Sequence, residues 1–168
     1  MVDLLPVVDV VEADTARQLA DATDLVLEYM TVTFDEVGLP APLLPSDLPE
    51  AWRREVEDLA AFYRSPGTFL VAYRNQRPIG GVGLLVGEPG TAEVKHLYVR
   101  PDERGGVGRL LMEHLHGRAA DAGIRRLVLD VLTSRAPVIE FYRRLGYTDT
   151  EPCTSEPVPV VFLDLLLT

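Results

Sequence analysis

One segment of the sequence restricts the fold of the chain more than any other, because it joins a strand pattern to a glycine turn and a helix pattern. An apolar β-type stretch at residues 92–99 precedes Gly105, Gly106 and Gly108, after which apolar residues recur at helical spacing. Residues 127–132 then form an almost wholly apolar run, typical of a strand covered on both faces. A strand, a helix and a second strand in this order predict a right-handed parallel crossover.

The glycine turn itself predicts an anion site. The first turn of a helix leaves its backbone N–H groups without internal acceptors and carries the positive end of the helix dipole. The three glycines have no Cβ and tolerate positive φ, so the backbone can approach a phosphate closely. From these residues alone, a plain tight turn is the alternative interpretation.

The remaining patterns predict one mixed α/β domain, and 168 residues are enough for a continuous core. Asp14 is expected to cap the first helix. The antiparallel hairpins precede the crossover, so the sheet is expected to be mixed, mostly antiparallel and flanked by helices. Strands are predicted at residues 7–11, 69–73, 79–86, 92–99, 127–132 and 160–167, and helices at 15–30, after 46, after 108 and at 136–145.

The net charge of −10 is distributed unevenly along the chain. Residues 1–50 contain 11 acidic residues and one basic residue, whereas residues 94–146 contain 10 basic and 6 acidic residues. The basic part favours a phosphorylated ligand and the acidic part a cation, with solvated surface charge as the alternative. The overall acidity argues against a nucleic-acid partner.

Cysteine and histidine usage predicts neither a disulfide nor a metal site. Cys153 is the only cysteine, and His114 and His116 face different directions on a helix. Residues 1–6 lack a basic region, and no apolar run reaches the length of about 18 residues that a membrane span needs. We therefore expect a cytoplasmic protein that binds no membrane.

Two segments at this separation in the chain carry a family resemblance. Residues 92–101 with the glycine turn form the first, and residues 139–147, IEFYRRLGY, form the second. Together they resemble the GNAT superfamily of acyl-CoA-dependent N-acetyltransferases. The resemblance implies a single GNAT-like α/β (α+β) domain. Within it, residues 1–66 would form the acceptor-side helices, 67–150 the acetyl-CoA-binding core and 151–168 the C-terminal strand region.

The resemblance also implies acetyl-CoA as cosubstrate, without a metal. The pantetheine arm would pair with the strand backbone, the N–H near Leu97 would polarise the thioester carbonyl, and the turn amides would hold the pyrophosphate. The implied cofactor-binding residues are Leu97, Tyr98, Val99, Arg104, Gly105, Gly106, Val107, Gly108, Arg109 and Ser134.

Two positions depart from the family pattern. Glu103 stands where the family commonly has Gln or Arg, so Arg104, one place later, is expected to contact the phosphates. Arg135 stands where an asparagine is often found, so Ser134 or Thr133 is expected to cap the following helix.

The resemblance places Tyr142 as the phenol that protonates the leaving thiolate. The alternative interpretation is that Tyr142 is a core residue on the same buried stripe of the helix as Phe141 and Leu145. Glu93 is the candidate general base, with pairing to Lys95 or Arg100 as its alternative. His96 is the second candidate base; simple alternation turns it away from Lys95 and Leu97, which favours an ordinary sheet histidine.

The predicted reaction is direct transfer of acetyl from acetyl-CoA to a primary amine of a small molecule or peptide within a ternary complex. The acidic residues Asp35, Glu36, Asp47 and Glu50 predict a cationic acceptor, whose identity stays open. A homodimer is common in such families. The alternative function is a non-catalytic acyl-CoA-binding regulatory module; a dinucleotide-binding domain is excluded because the chain does not begin with a βαβ unit containing GxGxxG.

Overall fold

The structure, a computed structural model, describes residues 6–168. The expectation about the N-terminus concerns residues 1–6 and so lies almost wholly outside the described residues. No helix within residues 6–168 has the length and apolar character that crossing a membrane requires.

The described elements follow the order that the sequence patterns predict, with two 3₁₀ turns and the short strand β6 in addition and with the predicted second helix divided in two. They are β1 (Val8–Glu12), α1 (Ala16–Glu36), a 3₁₀ turn (Pro45–Asp47), α2 (Glu50–Glu57), α3 (Leu59–Phe62), β2 (Thr68–Arg74), β3 (Arg77–Val86), β4 (Thr91–Val99), a second 3₁₀ turn (Pro101–Glu103), α4 (Val107–Asp121), β5 (Arg126–Leu132), α5 (Ala136–Arg144), β6 (Thr148–Asp149) and β7 (Val160–Leu166).

One sheet contains the seven described strands, in the order β1-β2-β3-β4-β5-β7-β6. Neighbouring strands are antiparallel except β4 and β5, which are parallel and joined through α4. This confirms the predicted mixed, mostly antiparallel sheet flanked by helices. The parallel pair lies in the middle of the sheet, where helices can cover both faces.

The two parallel strands pair only over their first residues. Their register runs from Thr91 opposite Arg126 to Glu93 opposite Val128. Beyond these residues the facing backbone edges of β4 and β5 are unpaired, and we call the space between them the strand gap. An unpaired strand edge presents a row of N–H and C=O groups to which an extended ligand can bind.

The sheet divides the core into two layers. On one face, α4 and α5 pack against Val82, Leu127 and their neighbours, with Leu111 of α4 at the centre of this layer. On the other face, α1, α2 and α3 pack against Val71 and Phe69. Side chains of β2 alternate between the two layers, as the pleat of a strand requires.

A β-bulge interrupts the alternation in β4. Gly83 lies opposite Lys95 but Gly81 lies opposite Tyr98, so β4 contains one extra residue between these pairs. His96 in this segment has φ +55, and its side chain faces α1 and α2, as that of Lys95 does. The prediction from simple alternation, that His96 faces away from Lys95, is therefore wrong because a bulge shifts the pleat by one residue.

Capping residues set the helix boundaries that the hydrophobic periodicity of the sequence placed less accurately. Thr15, and not Asp14, caps α1: its Oγ1 accepts the Gln18 N–H at 3.2 Å, and the Gln18 side chain accepts the Thr15 N–H at 3.1 Å. The predicted second helix is split into α2 and α3 at Asp58, whose carboxylate accepts the Ala61 N–H at 3.1 Å.

Candidate active site

The glycine turn has the backbone that an anion site requires. Gly105 and Gly106 have φ +127 and +96, which side-chain-bearing residues rarely adopt. The Leu110 N–H donates to the Gly106 carbonyl at 3.0 Å in the first turn of α4. The preceding amides of Val107 and Gly108 come before the first helical hydrogen bond, so the helix supplies them no acceptor.

The two arginines predicted to assist the turn lie at the surface. Arg104 Nε donates to the Val99 carbonyl at 3.3 Å, and Arg109 Nε donates to Glu113 at 2.9 Å. The first contact holds Arg104 against the end of β4. Both guanidiniums therefore lie beside the chain segments that border the turn.

Glu103 has a structural partner on another element. Its side chain is 12% exposed and accepts hydrogen bonds from Arg74 and, at 3.2 Å, from Arg77. These contacts connect the 3₁₀ turn before the glycines to the β2–β3 hairpin. Glu103 thus anchors the segment that leads into the glycine turn. The basic residue nearest to the glycine turn in sequence is therefore Arg104.

Replacing Glu103 with glutamine is expected to lower the free energy of unfolding by about 1–3 kcal/mol, since the half-buried Arg74 guanidinium loses its charged acceptor. Denaturant unfolding measures the change. Asp102→Asn is the matched control, because Asp102 is 61% exposed and contacts only Arg77; we expect less than about 0.5 kcal/mol there. Equal effects of the two variants would contradict the anchoring role.

The two sequence motifs meet at Gly108. A Cβ built on Gly108 would lie 3.6 Å from the Phe141 ring and 3.9 Å from Cγ2 of Val99. The first turn of α4 therefore packs directly on α5 and on the end of β4. This contact places the helix that carries Tyr142 next to the glycine turn.

Tyr142 is buried with only 6% of its surface exposed. Its ring lies 5.5 Å from that of Tyr147, whose hydroxyl is 2.9 Å from His116 Nε2. The Tyr142 hydroxyl makes no hydrogen bond within residues 6–168, and it is not among the fully buried unpartnered atoms there. Burial, with a further contribution from Tyr29, raises the pKa of Tyr142 well above its usual value, so the phenol keeps its proton at neutral and alkaline pH.

The other predicted cosubstrate residues lie at the strand gap. Leu97 and Val99 direct their side chains into the α4–α5 layer, and Tyr98 packs towards α1. Beyond Glu93 the edge of β4 that faces β5 is unpaired, and the backbone of Leu97 and Val99 lies along this edge. Ser134 follows β5 and is exposed, without a hydrogen bond from its hydroxyl in the described part of the chain.

Glu93 and Lys95 lie on the sheet face that α1 and α2 cover. Glu93 Oε1 is 3.5 Å from Lys95 Nζ, so the pairing considered as an alternative for Glu93 is present. Asp130 on β5 lies in the same neighbourhood: burial raises the pKa of Asp130, and Glu156 and Glu93 raise it further. The sequence analysis missed Asp130 because it stands within an apolar run.

His96 contacts a buried carboxylate, that of Glu55, which no sequence pattern singled out. Its Nε2 lies 2.9 Å from Glu55 Oε2, and the Tyr63 hydroxyl donates to the other oxygen of Glu55. Burial by itself raises the pKa of Glu55, but His96 and the hydrogen bond from Tyr63 outweigh burial and lower it. Glu55 is 1% exposed, so its carboxylate is held in place by these two partners.

Aromatic rings surround His96 on the helix side. The Tyr29 ring centroid is 4.7 Å from that of His96, and the Trp52 centroid is 6.1 Å away. Phe34 packs edge-on against Trp52 at 5.3 Å. These contacts form an aromatic cluster that consists of Tyr29, Phe34, Trp52 and His96.

Comparison with known proteins identifies the family. The family described as Acetyltransferase (GNAT) matches residues 38–147. The chain belongs to the GNAT acetyltransferase family. The resemblance predicted from the two motifs is therefore confirmed.

Individual relatives agree with this assignment. An uncharacterized N-acetyltransferase of Schizosaccharomyces pombe is 38% identical over 81 residues, or 47% of this chain and 50% of that protein, so the chain spans half of its length. The IAA acetyltransferase of Azospirillum brasilense is 35% identical over 108 residues, 63% of this chain and 71% of that protein. The PaiA N-acetyltransferase of Thermoplasma acidophilum, solved in complex with coenzyme A, has a TM-score of 0.72 with 18% identity over 96% of this chain and 99% of that one.

Arg135, at the position where the family resemblance led us to expect an asparagine, connects two helices. It is 15% exposed and donates to Glu36 at 2.7 Å, to Thr33 at 2.9 Å and to the Tyr29 hydroxyl at 3.3 Å. Arg135 thereby joins the beginning of α5 to α1. The expectation that Ser134 or Thr133 caps α5 is wrong, because Arg135 is the N-cap residue and no side chain caps the helix.

Three of the four acidic residues predicted to attract a cation make hydrogen bonds or ion pairs within this chain. Glu36 binds Arg135, Glu50 binds Arg54 at 2.8 Å, and Asp47 accepts the N–H groups of Leu43 and Leu44. The Asp35 carboxylate has no hydrogen bond or ion pair in residues 6–168, and Asp35 is exposed. It is the member of the set whose charge is least compensated within the described chain.

Proposed function

We propose that this protein transfers an acetyl group from acetyl-CoA to a primary amine of a small molecule or peptide, by direct attack within a ternary complex. The observation that carries the proposal is the strand gap between β4 and β5, with the glycine turn beyond the end of β4 and the Tyr142 hydroxyl unpartnered on the adjacent helix. Membership of the GNAT family, and a structural neighbour solved with coenzyme A, support it.

The residues at the gap fit an acyl-CoA. The unpaired edge of β4 at Leu97–Val99 would pair with the amide groups of a pantetheine arm, as an added strand does. The amides that open α4 would bind the diphosphate, with Arg104 and Arg109 supplying positive charge. The positive φ values of Gly105 and Gly106 orient this backbone before any ligand arrives.

The chemistry requires a neutral amine and a proton for the leaving thiolate. A lysine-type amine has a pKa of about 10.4, so its neutral form costs roughly 4 kcal/mol at pH 7.4 unless a base assists. Glu93 and His96 are the two candidates on the acceptor side of β4. Tyr142, kept protonated by burial, is the donor proposed for the thiolate.

Two measurements test the proposal. Calorimetry with coenzyme A tests binding, and release of free thiol from acetyl-CoA in the presence of amines tests transfer. Binding together with thiol release supports an N-acetyltransferase. Binding without thiol release for any amine would favour the non-catalytic acyl-CoA-binding module, and absence of binding would reject both functions.

Replacing Asp35 with asparagine is expected to raise KM for a cationic amine about two- to threefold, as the loss of one exposed counter-charge implies. KM for acetyl-CoA is expected to stay constant. Glu50→Gln serves as the control, because Glu50 is also exposed to solvent but is paired with Arg54. A parallel rise in KM for both substrates would discard the proposed preference for a cationic acceptor.

A further inference from the structure

The backbone at His96 is held in a conformation that histidine seldom adopts. His96 has φ +55 at the β4 bulge, in the left-handed region that glycine and asparagine occupy more easily. Such backbone strain persists where the surrounding structure enforces it, and it is concentrated at functional sites. Here its effect is to direct the imidazole towards α2 and Glu55.

The contact with Glu55 fixes which ring nitrogen is available. Nε2 lies 2.9 Å from the Glu55 carboxylate, so Nε2 carries the hydrogen and donates a hydrogen bond to the carboxylate. Nδ1 is then the nitrogen with a free lone pair. It has no partner in residues 6–168, and it is not among the fully buried unpartnered atoms there, which are Arg53 Nε and Arg74 Nε.

His96 and Tyr142 lie on opposite sides of the strand gap. His96 belongs to the face covered by α1 and α2, whereas Tyr142 packs in the layer formed by α4 and α5. Tyr29 contacts the His96 ring and accepts a hydrogen bond from Arg135, which begins the helix that carries Tyr142. The two groups are thus coupled through one short set of contacts, on the two sides from which an amine would enter and a thiol would leave.

We propose that His96 is the general base of the acetyl transfer and that Glu55 is the residue that positions it. This inference rests on the proposed function. The amine nitrogen bonds to the thioester carbonyl carbon and passes its proton to Nδ1 of His96. The carbon–sulfur bond then breaks and the sulfur takes a proton from the Tyr142 hydroxyl. Proton exchange with solvent restores the imidazole and the phenol, so no oxidant or further reactant is needed.

The environment of His96 favours this role over Glu93. Glu93 is engaged with the Lys95 ammonium, which competes for the lone pairs of its carboxylate. The charged and titratable groups around His96 are Glu55 from α2, Tyr29 from α1 and Lys95 on β4, with Tyr63 behind Glu55 and Arg135 behind Tyr29. Glu55 contacts the ring directly, so it stabilises the imidazolium that the reaction forms.

The first test is His96→Asn, because asparagine tolerates the same positive φ and so preserves the bulge. Thiol release from acetyl-CoA is measured with benzylamine, diaminobutane and a lysine-containing peptide as acceptors. We expect kcat/KM for the amine to fall by about 10²-fold or more. The Kd for coenzyme A, measured by calorimetry, is expected to remain unchanged.

The second variant, Glu55→Gln, keeps the size and one hydrogen-bond acceptor while removing the charge. We expect kcat/KM to fall by about tenfold, less than for His96→Asn, because the base remains but its charged partner is lost. The loss is expected in kcat, with KM for the amine and the Kd for coenzyme A nearly constant. A purely structural role for Glu55 would instead lower the melting temperature without a selective fall in kcat.

Glu93→Gln is the comparison that decides between the two candidate bases. If His96 is the base, His96→Asn lowers kcat/KM for the amine at least about tenfold more than Glu93→Gln does. An equal or larger fall in Glu93→Gln, or retention of the wild-type rate by folded His96→Asn, would overturn this inference and leave the proposed function standing. Wild-type protein that binds no coenzyme A would overturn the proposed function, and the role of His96 with it.

Discussion

Replacing Tyr142 with phenylalanine is expected to lower kcat by about 10²-fold or more, the contribution typical of a positioned general acid. The hydroxyl makes no hydrogen bond within residues 6–168, so its removal breaks none there and leaves the ring, which is 6% exposed, in its packing. The Kd for coenzyme A is therefore expected to stay nearly constant. Steady-state thiol release and calorimetry measure the two quantities separately.

Tyr147→Phe is the matched control for this substitution. Tyr147 is a buried neighbour of Tyr142, but its hydroxyl already contacts His116. We expect this variant to lose about 1 kcal/mol of stability, with kcat within a few-fold of the wild-type value. Because burial raises the pKa of Tyr142, ionisation of this phenol should not lower the wild-type rate under mildly alkaline conditions. An unchanged kcat in Tyr142→Phe would remove the residue from the acid role.

Replacing Gly106 with valine is expected to weaken coenzyme A binding about tenfold or more, because a left-handed conformation costs a side-chain-bearing residue about 1–2 kcal/mol. Nothing lies within 4 Å of a Cβ at this position, so the effect arises from φ and not from a clash. A turn that relaxes to negative φ no longer presents the amides of α4 in one direction. Calorimetry with coenzyme A gives the change in Kd.

Gly90→Val separates this effect from a general loss of stability. Gly90 has φ +79, and a Cβ there also meets open space, but it lies in the β3–β4 turn at the other end of β4. Both variants are expected to lower the melting temperature by similar amounts. Only Gly106→Val is expected to change the Kd, and equal affinities of the two variants would contradict a diphosphate site at the glycine turn.

The local patterns of the sequence were sufficient for the order of elements. Helical spacing, alternation and glycines at helix ends depend on neighbouring residues, so they located α4, β5 and α5 to within a residue or two. Local motifs were likewise sufficient to predict the glycine turn and the position of Tyr142. The parallel pairing of β4 with β5 was predictable from the strand–helix–strand crossover, which restricts the strand order without determining all of it.

Contacts between distant segments were not predictable in this way. The bulge at His96 depends on how β4 pairs with β3, and the alternation of residues in β4 alone does not predict it. Glu55 reads as an ordinary helix carboxylate, although its spacing from Trp52 and Leu59 places it on the buried stripe of α2 and α3. Glu103 and Arg135 read as departures from a family pattern, whereas their partners 29 and 99 residues away explain them.

The bulge makes His96 a surplus residue of its strand. Without it, Lys95, Leu97, Tyr98 and Val99 would follow the ordinary two-residue repeat, and Gly83 to Gly81 would pair with them without a shift. The sheet could therefore form without this histidine. The backbone accommodates it only by adopting an unfavourable positive φ. Shortening β4 by this single residue would yield a more regular protein from which the imidazole beside Glu55 had been lost.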